Sequence, residues 1–176
     1  MTGTRNGGSA AQFSTDIRIR KAGIGDADVF LALIDALAAY EKLEPPDAEA
    51  KSRLVLDAFG PSPRIEAFLA EYQGAPAAYA ITFASYSSFL ASPSLYLEDI
   101  FVLPEFRSRK VGAALFFALA TLAKQRGCAR MEWTVLDWNR LALDFYARLG
   151  ARHMREWQLH RLTRAELDAL PDVSLG

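Results

Sequence analysis

The run Tyr96-Leu97-Glu98-Asp99-Ile100-Phe101-Val102-Leu103-Pro104-Glu105-Phe106-Arg107-Ser108-Arg109-Lys110-Val111-Gly112-Ala113-Ala114-Leu115 constrains this chain more than any other stretch. An apolar strand passes through a basic turn straight into a helix. Such a junction leaves the first N–H groups of the helix without intrahelical partners, and the helix dipole with Arg107, Arg109 and Lys110 adds positive potential there. It therefore predicts an anion site that can hold phosphate groups without a metal. Glu98 and Asp99 lie just upstream, so a phosphate-bearing ligand and a candidate base fall within one strand length. The same four residues from Arg107 to Lys110 also fit a solvated basic turn, the commoner fate of short charge runs, but their place at a helix start favours phosphate.

The chain has 176 residues, 51% of them hydrophobic, which is enough for one buried core and too little to expect two. One domain over residues 15–176 is expected, after a small and polar tail over 1–14 that cannot offset the entropy of ordering. The net charge is −1. A chain this balanced lacks the basic field of a nucleic-acid binder, so a small-molecule partner is expected. A single cysteine, Cys128, excludes an intramolecular disulfide, and two histidines, His153 and His160, make no ligand cluster; no metal is expected and a reducing cytoplasm fits. No apolar run approaches the roughly 20 residues needed to cross a bilayer, and no membrane association is expected.

Alternation over Ile17-Arg18-Ile19-Arg20 predicts a strand, and Asp26 is placed to cap a helix carrying Val29, Phe30, Leu33, Ile34, Leu37 and Tyr40 on one side. Pro45-Pro46 ends it, and a second helix follows from Asp47 to Phe59. Residues 65–72 and 77–83 flank Gln73-Gly74-Ala75-Pro76 as an antiparallel hairpin, and 95–103 adds a third strand. Ser85 to Pro93 reads as a loop. A helix from Lys110 to Arg126 stops at Gly127, a strand spans 130–136, a helix runs from Asn139 to Leu149, and 152–162 reads as the last strand before a small terminal helix. The order predicts a mixed α/β layer fold.

With Ala39-Tyr40-Glu41, Tyr96-Leu97-Glu98-Asp99, the basic turn, Val135-Leu136-Asp137-Trp138-Asn139 and Phe145-Tyr146-Ala147-Arg148-Leu149-Gly150-Ala151 in one order, residues 16–165 resemble the GNAT superfamily of acetyl-CoA-dependent N-acetyltransferases. Within it the chain is similar to the diamine (spermidine/spermine type) branch and its bacterial relatives. The resemblance implies the GNAT acyl-CoA N-acyltransferase fold, an α/β fold whose mixed central sheet is splayed at the cofactor site and flanked by helices. It implies that the pantetheine arm of acetyl-CoA pairs with backbone at Ile100, Phe101 and Val102, that the pyrophosphate lies over Arg107, Ser108, Arg109, Lys110, Val111 and Gly112, and that Asn139 and Tyr146 face the thioester. It also implies a homodimer, with residues 155–160 at the interface. Helical geometry agrees with the pairing of Asn139 and Tyr146, since seven positions bring two side chains within roughly 20° of each other.

An ammonium group must lose a proton before it attacks a thioester, and the departing thiolate needs a proton in return. Glu98, acting through water, is the expected base. Tyr146, protonated at neutral pH with an ordinary pKa near 10, suits the acid role. Glu98 and Asp99 read equally well as surface carboxylates with basic partners, and strand alternation sets them on opposite faces with different tasks. Tyr146 could also be an ordinary aromatic packed beside Phe145. Trp133, Trp138 and Cys128 read as packing residues, as do the two histidines as strand residues.

Two departures from the family pattern stand out. Lys110 occupies the first glycine position of the phosphate turn, where positive φ would strain a side chain. The Ser85–Pro93 segment carries no carboxylate for a distant ammonium, which leaves Glu41, Glu44, Glu98 and Asp99 for that task. Tyr40, Tyr86 and Phe89 could line the acceptor slot beside Glu41, Glu98 and Asp99, or simply pack under the sheet. The expected activity is direct acetyl transfer from acetyl-CoA to a primary amine of a small molecule, diamine-like or amino-acid-like. A protein lysine or N-terminal amine as acceptor, or a noncatalytic acyl-CoA-binding module, are the alternatives.

Overall fold

The computed structural model describes residues 13–174, so most of the expected tail over 1–14 lies outside the described residues. The chain forms β1 (Ile17–Lys21), α1 (Ala27–Glu41), α2 (Ala48–Phe59), β2 (Glu66–Tyr72), β3 (Ala75–Ser87), β4 (Ser92–Val102), α3 (Val111–Gln125), β5 (Arg130–Trp133), α4 (Arg140–Arg148) and α5 (Arg164–Asp168). It divides into two compact units, one ending at Thr134 and one beginning at Val135. The first holds the whole sheet.

The strands lie in the order β1-β2-β3-β4-β5, antiparallel throughout except for the parallel pair β4 and β5. The β2–β3 hairpin closes on Gln73 and Gly74, both at positive φ (50° and 83°), the backbone that matches the twist of two-residue hairpins. The segment expected as a loop over 85–93 is instead the far end of a second hairpin, with Ser85 opposite Ser94 and Ser87 opposite Ser92. Ser85, Ser87 and Ser92 are paired through backbone that side-chain polarity does not reveal, and only residues 88–91 turn between the strands.

The helix ends follow local chemistry. Asp47 caps α2 by accepting from the Ala50 N–H at 2.8 Å. Asp26, expected to cap α1, turns its carboxylate to the Gly23 N–H and to Arg20, which binds both oxygens at 2.7 Å. The guanidinium, with help from the Gly23 N–H, holds this carboxyl down at about 2. At the far end of α3, Gly127 (φ 67°) lets the Cys128 N–H return to the Ala123 carbonyl, as sequence punctuation predicts.

The last strand expected over 152–162 is absent: no strand is assigned there, and β5 is shorter than expected, ending at Trp133. A strand exists through its ladder, and alternation in sequence does not supply the neighbour that completes one.

Register sorts the sheet into two faces. Leu69, Tyr79 and Phe101 stand opposite one another, as do Ala67, Ile81 and Asp99. This face joins Phe30, Leu33 and Ile34 of α1 and Ala58 of α2 in one buried cluster. Phe68, Ala70, Ala78, Ala80 and Thr82 line the other face, and α3, with Leu115 and Leu119 buried, packs across the strands.

Candidate active site

One irregularity organises the site. Pairing of β3 with β4 slips between Ile81 and Thr82: Thr82 opposes Leu97, Ile81 opposes Asp99, and Glu98 has no opposite residue. An extra residue of this kind breaks the two-residue alternation. Regular alternation would send Asp99 to the same face as Leu95 and Leu97. The bulge instead turns it to the face of Tyr79, Phe101 and α1, so the expected alternation of Glu98 and Asp99 onto opposite faces does not hold here.

Asp99 is therefore a carboxyl against an apolar face. Burial, reinforced by the neighbouring charge of Glu98 and by Glu41, pushes it up to about 6, while the Tyr79 hydroxyl, donating to Asp99 Oδ2 at 3.2 Å, pulls the other way. Glu41 is the last residue of α1, where the negative end of the helix disfavours a carboxylate, and burial raises its pKa as well. Glu98 is exposed. Among the described residues no lysine or arginine forms an ion pair with Glu41, Glu98 or Asp99. Such a group of carboxyls has an unmet demand for a cation.

The strand beside it is open. β5 pairs with β4 only from Ser94 to Leu97, so from Glu98 to Val102, including Ile100 and Phe101, that side of β4 has no strand partner among the described residues. Immediately beyond, α3 begins without any side-chain cap, and its first intrahelical bond runs from the Ala114 N–H to the Lys110 carbonyl. The N–H groups of Val111, Gly112 and Ala113 are thus left at the helix start. Gly112 fits closely here, since a Cβ on it would lie 3.1 Å from Val102 Cγ2.

The basic turn is more folded in than sequence suggests. Arg107 donates from Nε to the Val102 carbonyl at 3.2 Å and lies over Tyr40, 4.4 Å from the ring centre, and over Phe101 at 5.7 Å. Arg109 lies over Tyr72 at 5.1 Å. Ser108 and Lys110 both adopt positive φ, 63° and 65°, so the lysine at the glycine position does take the left-handed backbone. Tyr40 and Phe101, whose rings are 5.9 Å apart, lie between the basic turn and the carboxyls, one residue before Glu41 and two after Asp99. Tyr86 and Phe89 do not join them. They sit at the exposed tip of the β3–β4 hairpin, Phe89 94% exposed, and Tyr86 is five residues, about 17 Å of strand, from Ile81.

The second unit carries the remaining candidates. Asn139 is the residue before α4, outside the helical backbone, and its side-chain oxygen accepts from the Ala142 N–H at 3.3 Å. The helical-spacing argument linking it to Tyr146 thus starts one residue too early. Tyr146 is buried in α4, and burial lifts its hydroxyl to about 12. Sequence reading missed Tyr79, which sits in an apolar run and looks like core; its hydroxyl alone could have marked it. Among the described residues, no group of histidine, cysteine and carboxylate side chains could hold a metal, and no helix is long and apolar enough to cross a membrane.

An open five-stranded sheet with a bulged β4, an unpaired strand edge and an uncapped helix start defines the fold class, and comparison with known proteins agrees. The model of the acetyltransferase (GNAT) family matches residues 32–151, and the chain belongs to this family. It is 34% identical to the thialysine N-epsilon-acetyltransferase of Bos taurus over 166 residues, covering 90% of this chain and 97% of that protein. It is 39% identical to an L-ornithine N5-acetyltransferase of Arabidopsis thaliana over 99 residues, 56% of this chain and 43% of that one. A crystal structure of a probable acetyltransferase superposes with a TM-score of 0.73 at 20% identity, covering 83% of this chain and 97% of the other, a likeness of fold.

Proposed function

We propose that this protein transfers acetyl from acetyl-CoA directly to a primary amine of a small molecule carrying a second cationic group, diamine-like or amino-acid-like. The observation that carries this reading is the group of three carboxyls, Glu41, Glu98 and Asp99, with no cationic partner among the described residues beside an open strand and an uncapped helix start. A protein keeps such charge uncompensated where a ligand supplies the cation. The thialysine and ornithine acetyltransferases among the relatives support an acceptor with two amines.

The residues fit acetyl-CoA, which supplies an acetyl thioester. Backbone of Ile100, Phe101 and Val102 would pair with its pantetheine arm. The N–H groups of Val111 and Gly112, with Ser108, Arg109 and Lys110, would take the pyrophosphate. Arg107 would join them from its place over Tyr40. Glu98 accepts the ammonium proton through water; the freed nitrogen forms the C–N bond as the C–S bond breaks; the Tyr146 hydroxyl protonates the departing sulfur. The proton taken by Glu98 then passes to solvent, and the second proton, shed by the acylated nitrogen, restores the Tyr146 hydroxyl. Burial keeps Tyr146 protonated at neutral pH, the form the acid role requires, while making its hydroxyl a weaker donor than an ordinary tyrosine. Asn139 would orient the thioester end. Tyr40, Glu41 and Asp99 bind the acceptor; Tyr86 and Phe89, at the hairpin tip, take no part.

The catalytic domain spans residues 15–176 in this proposal and works in the cytoplasm as a homodimer, with residues 155–160 at the interface, where the exposed Trp157 and Leu159 would be covered. Acetyl transfer should be measured with ornithine, lysine, thialysine, spermidine and a cell-extract protein fraction. Turnover on a short diamine or diamino acid supports the proposal; transfer to protein alone would replace it with a protein acetyltransferase, and acetyl-CoA binding with no transfer to any acceptor would replace it with a binding module.

A further inference from the structure

Tyr79 is wholly enclosed, 0% exposed, on the sheet face covered by α1 and α2, with its ring edge-on to Phe30 at 5.9 Å. Phenylalanine would fill this space without bringing a polar group into it. A buried hydroxyl needs a partner, and here the partner is Asp99 Oδ2 at 3.2 Å. Register explains the reach: Tyr79 opposes Phe101 and Ile81 opposes Asp99, so Tyr79 and Asp99 are diagonal neighbours on one face. They are neighbours only because the slip at Glu98 turns Asp99 to that face.

We propose that Tyr79 is a positioning residue for acceptor recognition: its hydroxyl anchors Asp99 Oδ2, keeping this carboxylate ionised and oriented so that Oδ1 meets the substrate ammonium. The proposal rests on the reading of Asp99 as an acceptor-binding group. The groups acting on Asp99 are Glu98 beside it in β4, Glu41 from the end of α1 and Tyr79 from β3. Burial and the two glutamates favour the neutral acid, and Tyr79 is the group that favours the anion. Arg107, over the Tyr40 and Phe101 rings on the same face, forms no ion pair with Asp99. A donor to the charged form is what holds a buried carboxylate ionised near neutral pH.

The test measures kcat/KM for the diamine acceptor from pH 5.5 to 9 with wild type, Tyr79→Phe, Asp99→Asn and the double variant, with acetyl-CoA affinity by calorimetry alongside. For Tyr79→Phe the acid limb should move up by about one pH unit, so that the acceptor KM rises about twofold at pH 7 and about eightfold at pH 5.5, with kcat at high pH and acetyl-CoA affinity within about twofold. In the Asp99→Asn background, Tyr79→Phe should add nothing. A limb that stays in place, or an equal loss at every pH that persists in the double variant, overturns the proposal. If Asp99→Asn leaves the acceptor KM unchanged, the acceptor reading fails and this proposal with it; if Asp99→Asn raises KM but Tyr79→Phe leaves the limb in place, the role of Tyr79 alone fails. Should Tyr79→Phe not fold, NMR of the wild type decides: the Tyr79 hydroxyl proton should shift with the midpoint of the Asp99 carboxyl, and no such co-titration overturns the proposal.

Discussion

The Arg107 guanidinium lies 4.4 Å from the centre of the Tyr40 ring, fastening the turn before α3 to the last residues of α1. The contact connects the proposed cofactor turn with the proposed acceptor residues. Guanidinium over an aromatic ring at a partly exposed site is worth about 0.5–1 kcal/mol. A double-mutant cycle with Arg107→Ala and Tyr40→Leu should show coupling of about that size in denaturant unfolding. Strictly additive effects would mean that the two side chains stabilise the fold independently.

Lys110 stands at φ 65° where a glycine would be unstrained. A side chain in left-handed backbone costs about 1–2 kcal/mol, so Lys110→Gly should leave stability unchanged or raise it by up to about 1 kcal/mol despite the added freedom of the unfolded chain. Acetyl-CoA affinity should change less than about tenfold, because the lost cation and the relieved backbone act in opposite directions. A much larger gain in calorimetric affinity would show that the native lysine impairs the turn.

Asp99 carries a stability cost that its proposed role explains. Its folded pKa of about 6 lies above the ordinary 3.8, so as pH rises from about 4 to 6 the unfolded chain gives up the proton first and folding loses stability. Asp99→Asn should therefore melt higher than wild type at pH 7.5, with the difference vanishing below about pH 3, where the carboxyl is protonated both folded and unfolded. A difference that grows toward low pH would contradict the assignment.

The strand, basic turn and helix from Tyr96 to Leu115 were legible because each signal is local: an apolar run, a charged turn, helical spacing and a glycine stop at Gly127. The hairpin at Gln73-Gly74 was legible for the same reason. The bulge at Glu98 was not, because register belongs to two strands at once and nothing in the β4 sequence records where β3 slips. That one-residue slip reverses the face of Asp99 and gives Tyr79 its partner, so the proposed acceptor end of the site is readable in sequence only as a set of residue types. The expected strand over 152–162 failed on the same ground, since alternation is local and pairing is not. Charge and a place just before a helix make Arg107 and Arg109 phosphate-ligand candidates in sequence, whereas their contacts with Tyr40, Phe101 and Tyr72 depend on elements distant in sequence.

Tyr146 is buried and stays protonated with a pKa raised to about 12, and in the proposed mechanism it gives its proton to the departing sulfur. Tyr146→Phe should lower kcat by at least about tenfold while acetyl-CoA affinity stays within about twofold. Turnover equal to that of wild type would remove this hydroxyl from the mechanism.

The central claim is that an amine is acetylated at the bulged strand with Glu98 as base. Release of free thiol from acetyl-CoA, followed for wild type and Glu98→Gln with a short diamine as acceptor, tests it most directly. Acceptor-dependent release that falls about 10²-fold in Glu98→Gln, with acetyl-CoA binding retained, is the expected result. Equal release by both proteins would contradict the role of Glu98, and tight acetyl-CoA binding without release from the wild type would contradict amine acetylation itself.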